Sequence, residues 1–416
     1  MPRIPPELCA RCKGYKKLCG LPRCPILEMF QSQARSVLSI RGPEVEGSTP
    51  PGLLVGEHGY PSLNVYFYIP PSVIGEQARV YDDPLGWSRA RYSLARILRL
   101  RSSLIGARVR VKANDPYSLY SSELGIAALS EKPVSTEAVL EKMPVPRLRF
   151  TGITKPIGPS APAKKILVQE NPVMNRKLER LVWDDAYASD AVWEAYISGV
   201  DVYSIQRAFS LGFLGRYRNR RVVPTRWTIT AVDEILSKHL QRALRDKLSI
   251  DQVEVYFHEY LGNRFIVVLL PGEGSLEWIE VWHPRTVWTK TSPKPIIYYL
   301  YEDPLGRKTM EDGGYSASKL AVLEALYKRG RKADSVIIRE ILPSYYAPVG
   351  NWHIRETTRK ALEKGPVGVF SSTTSAKGLL DKLLVIEEKK IVYGKSRLLG
   401  YSRRMTRLTE FFDIEE

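Results

Sequence analysis

All four cysteines of the chain fall within its first 24 residues, at Cys9, Cys12, Cys19 and Cys24, in the spacing C-x2-C-x6-C-x4-C. Two cysteines separated by two residues can turn both sulfurs toward one tetrahedral ion, and a second pair closes the shell. Three chemistries suit such a cluster: a four-thiolate zinc site, a cubane iron–sulfur cluster, or two disulfides of the kind found inside hyperthermophiles. Ligand type and spacing make a structural Zn²⁺ on all four thiolates the expectation, with no open coordination position for catalysis. Arg11, Lys13, Lys16, Lys17 and Arg23 surround the cysteines, where they balance thiolate charge or reach phosphate.

The opposite end carries a second signal. Leu408 is followed three and four positions later by Phe411 and Phe412, an apolar plug on a single helical turn. At a chain terminus such a plug suits a partner's pocket better than the protein's own core. The pattern is that of the box by which proteins dock on the DNA sliding clamp (PCNA), Q-x-x-h-x-x-a-a, with Met405 standing where Gln is usual. Gln makes a hydrogen bond that Met cannot, so Met405 is expected to weaken docking without abolishing it. The alternative is a terminal helix packed on its own domain.

Between the ends lies RYRNRRVVPTRW, which places Arg216, Arg218, Arg220, Arg221 and Arg226 among Tyr217 and Trp227. Cations for phosphates and rings for base stacking suit nucleic acid. A solvated basic loop fits the same residues. Four acidic pairs, Asp82-Asp83, Asp184-Asp185, Glu302-Asp303 and Glu311-Asp312, are the candidates for catalysis. A metal-dependent nuclease clusters carboxylates around ions about 4 Å apart. Adjacent acids also cap helices and build turns, and Asp83-Pro84 and Asp303-Pro304 have that look. His58, His239, His258, His283 and His353 are scattered without metal spacing, and neither a P-loop nor G-x-G-x-x-G is present.

The elements that must position these residues are read from composition and pattern. With 62 Lys+Arg against 45 Asp+Glu in 416 residues, the net charge is +17, which favours a polyanionic partner such as nucleic acid. Apolar residues make up 44% of the chain, enough for ordinary cores. No apolar run reaches the roughly 18 residues of a membrane span, and the first residues lack a signal-peptide core. A cytoplasmic, nucleoid-associated protein is the expectation. SLNVYFYIPP reads as a strand, and 86–105 reads as a basic amphipathic helix. Residues 141–165 hold five prolines and read as loop. VEVYFHEY, FIVVLL, SLEWIEVWHP and TVWTK read as strands. DSVIIREILPSYY and WHIRETTRKALEKG read as helix-length segments, and KIVYGK as a short strand. The expected class is α+β: a zinc knuckle, a mixed α/β body, an α-rich C-terminal part and a flexible tail.

Taken in order, CARCKGYKKLCGLPRC, EHGYP, YDDPLGW, RLRFTGITKPIGPSAP, LERLVWDDA, SIQRAFSLGFLGRYRNRRVVPTRWTITAVDE, EDGGYSASKLAVLE and the terminal Phe pair resemble the archaeal Nre family of DNA repair proteins over essentially the whole chain. The resemblance implies damage repair through the sliding clamp and brings no catalytic residue with it. It divides the chain into a zinc module (1–35), an Nre N-terminal-type domain (36–295), an Nre C-terminal-type domain (296–400) and a clamp-binding tail (401–416). The leading expectation is a repair factor that binds DNA and docks on the clamp. A divalent-metal nuclease and a zinc-containing RNA-binding protein are the alternatives.

Overall fold

The computed structural model describes residues 11, 12, 14, 16, 18, 24–147, 157–286, 288, 289 and 292–400. Helix α1 (Pro25–Ser39) begins with proline, tolerated there because the first N–H of a helix has no partner, and Cys24 is its N-cap residue. Next come β1 (Glu44–Thr49), β2 (Leu54–Val55), β3 (Ser62–Ile69), α2 (Pro84–Arg89), α3 (Leu94–Ser102), β4 (Ile105–Lys112), α4 (Tyr117–Ser121), α5 (Leu124–Ala128), β5 (Val134–Leu140) and β6 (Ser160–Val168). The strands form one sheet in the order β1-β5-β6-β4-β3-β2, antiparallel except where β4 runs alongside β6. That parallel contact requires a glycine: a Cβ on Gly158 would lie 1.5 Å from the Leu104 carbonyl oxygen.

A helical layer follows: α6 (Arg176–Val182), α7 (Ala188–Ile197), α8 (Val202–Ser210) and the long α9 (Thr225–Leu244). The remainder is β7 (Val253–Tyr260), β8 (Asn263–Leu270), β9 (Leu276–Trp282), β10 (Ile296–Glu302), α10 (Gly313–Arg329), β11 (Asp334–Ile341), α11 (Trp352–Glu363), β12 (Gly368–Phe370), α12 (Thr373–Leu383) and α13 (Lys389–Lys395). Its sheet runs β10-β9-β11-β8-β7-β12, again with one parallel pair, β9 with β11.

This second sheet is covered on both faces. Along β8, Phe265, Val267 and Leu269 enter the core shared with α9 and α10, while Ile266, Val268 and Leu270 enter the core shared with α12 and α13. Alternate residues of a strand point to opposite faces, so a strand buried on both sides is apolar throughout. The first core also takes in Val65 and Phe67 of β3 and Ile205 of α8, and so joins the two halves. Ile279 of β9 faces Tyr299 of β10 and Ile338 of β11. The expected boundary at 295/296 therefore cuts between hydrogen-bonded neighbours of one sheet.

The α+β class is as expected, and several segments differ. DSVIIREI is the central strand β11: its continuous apolar run is that of a doubly covered strand. KIVYGK is helix α13, which buries Val392 and Tyr393 beneath the second sheet. TVWTK forms no strand in its described residues; Thr286 and Thr289 are buried and hydrogen-bonded to each other at 2.8 Å. Residues 86–105 break into α2 and α3, because Arg91 takes a left-handed φ of 50° and Ser93 caps a new helix. The proline-rich 141–165 stretch delivers β6. The C-terminal third carries β10, β11 and β12 as well as helices. The tail at 401–416 lies outside the described residues.

Candidate nucleic-acid interface

Two of the four cysteines are described. Cys12 is buried, and Cys24 sits at the start of α1. Cys9 and Cys19 lie outside the described residues, as do Met405, Leu408, Phe411 and Phe412 of the tail. Among the described residues, no three Cys, His, Asp or Glu side chains are grouped to hold a metal ion.

The basic segment enters α9 from a short turn, and its arginines divide. Arg220 is 6% exposed and turned inward. It donates from Nε to Gly215 O (2.7 Å), from Nη1 to Val182 O (2.6 Å) and from Nη2 to Asp184 O (2.7 Å). A guanidinium committed to three carbonyls is a structural pin, which removes Arg220 from the expected phosphate contacts. Arg216, Arg218, Arg221 and Arg226 are exposed. Arg216 stacks 3.8 Å above the Tyr187 ring, Arg221 binds the Arg218 and Arg220 carbonyls, and Arg226 reaches Glu57 at 3.5 Å.

From Trp227 onward α9 forms one wall of a groove of about 890 Å³. Trp227, 53% exposed, stands at its edge, and Glu234, Lys238, Gln241, Arg242 and Arg245 follow along one helical face. Lys308, Lys319 and Lys332 face them from the opposite side. Lys238, Arg242 and Arg245 are exposed and form no ion pair among the described residues. Sequence reasoning passed over these three. Their signal was spacing: cations at 238, 242 and 245, four and then three residues apart, inside a helix.

The floor of the groove is an ionic lattice. Buried Glu302 accepts from Lys319 Nζ (2.6 and 2.9 Å), Tyr315 Oη (2.9 Å) and Gln241 Nε2 (2.9 Å). Lys308 bridges Glu234 (3.0 Å) and Glu311 (2.8 Å). Burial pushes the Glu234 carboxyl up, but Lys319, Ser316 and Lys308 outweigh it and hold the group below its ordinary value. The phenol of Tyr315 is pushed well up by burial and by Glu302. Two acidic pairs thus send one member each into the groove, Glu302 and Glu311, and each is neutralised by lysine.

The other acids do structural work. Asp82 pairs with Arg101 at 2.5 Å. Asp83 caps α2 by accepting from Gly86 N at 2.9 Å, and Pro84 occupies the first turn, so YDDPLGW is a helix-start device. Asp303 accepts from Leu305 N and Arg307 N in a turn. Asp312 caps α10 through Tyr315 N (2.7 Å), and that helix ends at Gly330 with φ 64°, a conformation glycine adopts without strain. Asp185 accepts from Tyr217 N at 2.6 Å and fixes the basic turn. No described helix is long and apolar enough to cross a membrane.

Two family profiles match the chain: Archaeal Nre, N-terminal, over residues 18–289, and Archaeal Nre, C-terminal, over residues 302–411. The chain is 33% identical over 410 residues to the DNA repair protein NreA of Archaeoglobus fulgidus, covering 97% of this chain and 98% of that one. It is 32% identical to the DNA repair protein NreB of the same organism, covering 97% and 99%. The DNA repair protein NreA of Haloferax volcanii is 33% identical over 348 residues, 81% of this chain and 82% of that one. No solved structure matches.

Proposed function

The chain belongs to the archaeal Nre family, and from that premise we propose that it is a DNA repair factor that grips DNA by its phosphate backbone in the α9 groove and is recruited by docking on the sliding clamp. The repair role rests on three relatives, each named a DNA repair protein. The DNA reading is carried by one observation: Lys238, Arg242 and Arg245 line one wall of the groove without ion-pair partners among the described residues. From Lys238 to Arg245 the helix rises about 10 Å, which matches roughly three successive phosphates along one strand. Exposed Trp227 and Arg226 at the groove's edge offer a ring for stacking and a further cation.

The nuclease alternative loses ground, because Glu302 and Glu311 in the groove are held by Lys319 and Lys308, while Asp82 pairs with Arg101, Asp83 and Asp312 cap helices, and Asp185 and Asp303 fix turns. At the N-terminus, Cys9, Cys12, Cys19 and Cys24 form a donor set suited to Zn²⁺, and the ion would hold the module together. Metal analysis of the full chain is expected to find one zinc; two disulfides without zinc would refute the assignment. At the C-terminus, Leu408, Phe411 and Phe412 fill the clamp pocket and Met405 replaces the usual Gln.

Calorimetry of the full chain with the clamp tests the docking. Phe411→Ala with Phe412→Ala is expected to abolish binding while leaving DNA affinity and thermal stability unchanged, because an aromatic pair that seats in a partner's pocket acts as an interface hot spot. Met405→Gln should tighten the complex. A double-alanine chain that binds the clamp as well as the original would contradict the docking.

A further inference from the structure

Apart from the groove, the two halves of the fold line a smaller, half-open cavity of about 100 Å³ that nothing above assigns. Three arginines line it: Arg101 from α3, Arg207 from α8 and Arg355 from α11. Two of them carry their own counterions. Arg101 pairs with Asp82 at 2.5 Å, and Arg355 pairs with buried Asp233 through both carboxylate oxygens. Arg207 does not. Among the described residues it forms no direct ion pair; its Nη2 donates to Ser204 Oγ at 2.7 Å, and that hydroxyl in turn donates to Asp201. The Nε atoms of all three arginines are sealed from solvent and lack partners. Arg207 is thus the member of the three whose guanidinium touches no carboxylate directly, Asp201 reaching it only through the Ser204 hydroxyl.

The backbone adds to this field. Helices α9 and α11 both begin at the cavity, which is lined by Thr225 and Asn351 at their starts, and neither has a side-chain cap on its first N–H groups. The positive end of a helix dipole with unsatisfied N–H groups attracts an anion. Burial depresses the pKa of the Arg207 guanidinium, although Asp201 and Asp82 pull the other way. A partly desolvated cation without a direct carboxylate partner gains from a ligand that supplies the charge. The space admits about three waters, or one tetrahedral oxyanion with its oxygens directed at the guanidinium groups. A whole nucleoside does not fit, so any such group must remain at the mouth.

We propose that this cavity is a binding site for the phosphoryl group of a phosphate monoester or for inorganic phosphate, with Arg207 as the guanidinium free of a direct carboxylate partner. Dianionic phosphate suits the set, because guanidinium forks match its geometry and charge-assisted hydrogen bonds are the strong ones. The site is separate from the α9 groove and stands or falls independently of duplex binding and of clamp docking.

The test uses the full chain in chloride buffer at fixed ionic strength, titrated with inorganic phosphate by calorimetry and followed by thermal melting. The wild-type chain is expected to bind one phosphate saturably, in or below the millimolar range, and to melt higher in its presence. Arg101 and Arg355 are poor probes, since removing either strands a buried carboxylate. Arg207→Gln is the informative change. It should weaken phosphate binding roughly ten- to a hundredfold, and without phosphate it should melt close to wild type, because it breaks no direct ion pair. Arg207→Lys should restore part of the affinity. Competition identifies the source: a strand ending in a phosphate that displaces inorganic phosphate, where the same strand ending in a hydroxyl does not, marks a strand end. Displacement by adenosine monophosphate but by neither strand marks a small soluble ester. No saturable binding by the wild-type chain, undiminished binding by Arg207→Gln, or a large fall in that variant's melting temperature without phosphate would each overturn the proposal.

Discussion

The basic turn at 216–221 and the α9 face at 238–245 make an instructive contrast. The turn has four arginines in six residues, and the helix face has three cations in eight. By charge density the turn is the stronger polyanion site. In the fold its central cation, Arg220, is the one most deeply committed, binding three carbonyls that loop geometry leaves without other partners. Arg216 lies flat on Tyr187 and Arg221 folds back on its own backbone. The helix face is sparser, yet among the described residues its cations form no ion pair, and they line a groove. Availability to a ligand depends on what else a cation must satisfy, and sequence density does not report that.

The largest effect expected from this contrast is structural. Arg220→Ala should destabilise the protein by about 3 kcal/mol, because it strands the buried Gly215 and Val182 carbonyls and removes the bond to the Asp184 carbonyl. DNA affinity per folded molecule should stay the same. Melting curves together with binding by the folded fraction check both halves. A stable Arg220→Ala chain with weakened DNA binding would reverse the assignment and return Arg220 to the interface.

A second, smaller effect concerns cations turned inward. Burial, then Lys364, Arg91 and Lys360, push His258 down to about 4, and burial with Arg339 pushes His353 down to about 3. The unfolded chain protonates both near pH 6.5. The folded state therefore binds fewer protons in between, so the stability these neutral rings contribute is complete above about pH 6.5 and is lost as pH falls toward 4. A loss of about 2 kcal/mol across that window is expected, and His258→Gln should flatten it. An unchanged pH profile in His258→Gln would show that the flanking cations do not act on this ring.

Much of the fold was legible where one face of an element meets water. SLNVYFYI, VEVYFHEY and WHIRETTRKALE show clear patterns and form β3, β7 and α11 as expected. What escaped was the doubly covered part. DSVIIREI lacks alternation because both its faces are buried, and KIVYGK takes its shape from the sheet it packs under rather than from its β-branched residues. The expected domain boundary falls between paired strands. The family profiles also divide near 290–300, yet β9 and β10 on either side of that point are paired strands. The caps at Asp83 and Asp312 were legible as capping chemistry, since an acid followed by Pro or Gly at a helix start has few other uses. The phosphate-sized cavity was not legible at all. Arg101, Arg207 and Arg355 are 106 and 148 residues apart in sequence, and only tertiary packing brings them together.

The most direct test of the central claim is the salt dependence of duplex binding by three full-length chains: wild type, Lys238→Ala/Arg242→Ala/Arg245→Ala, and Arg216→Ala/Arg218→Ala/Arg221→Ala. Each phosphate contact contributes about 0.9 to the slope of log affinity against log salt. The groove variant should lose between two and three units of slope, roughly, and bind all sequences more weakly, with its melting temperature unchanged. The turn variant should lose about one unit at most. A groove variant with the wild-type slope, or a turn variant that loses the larger share, would contradict the account.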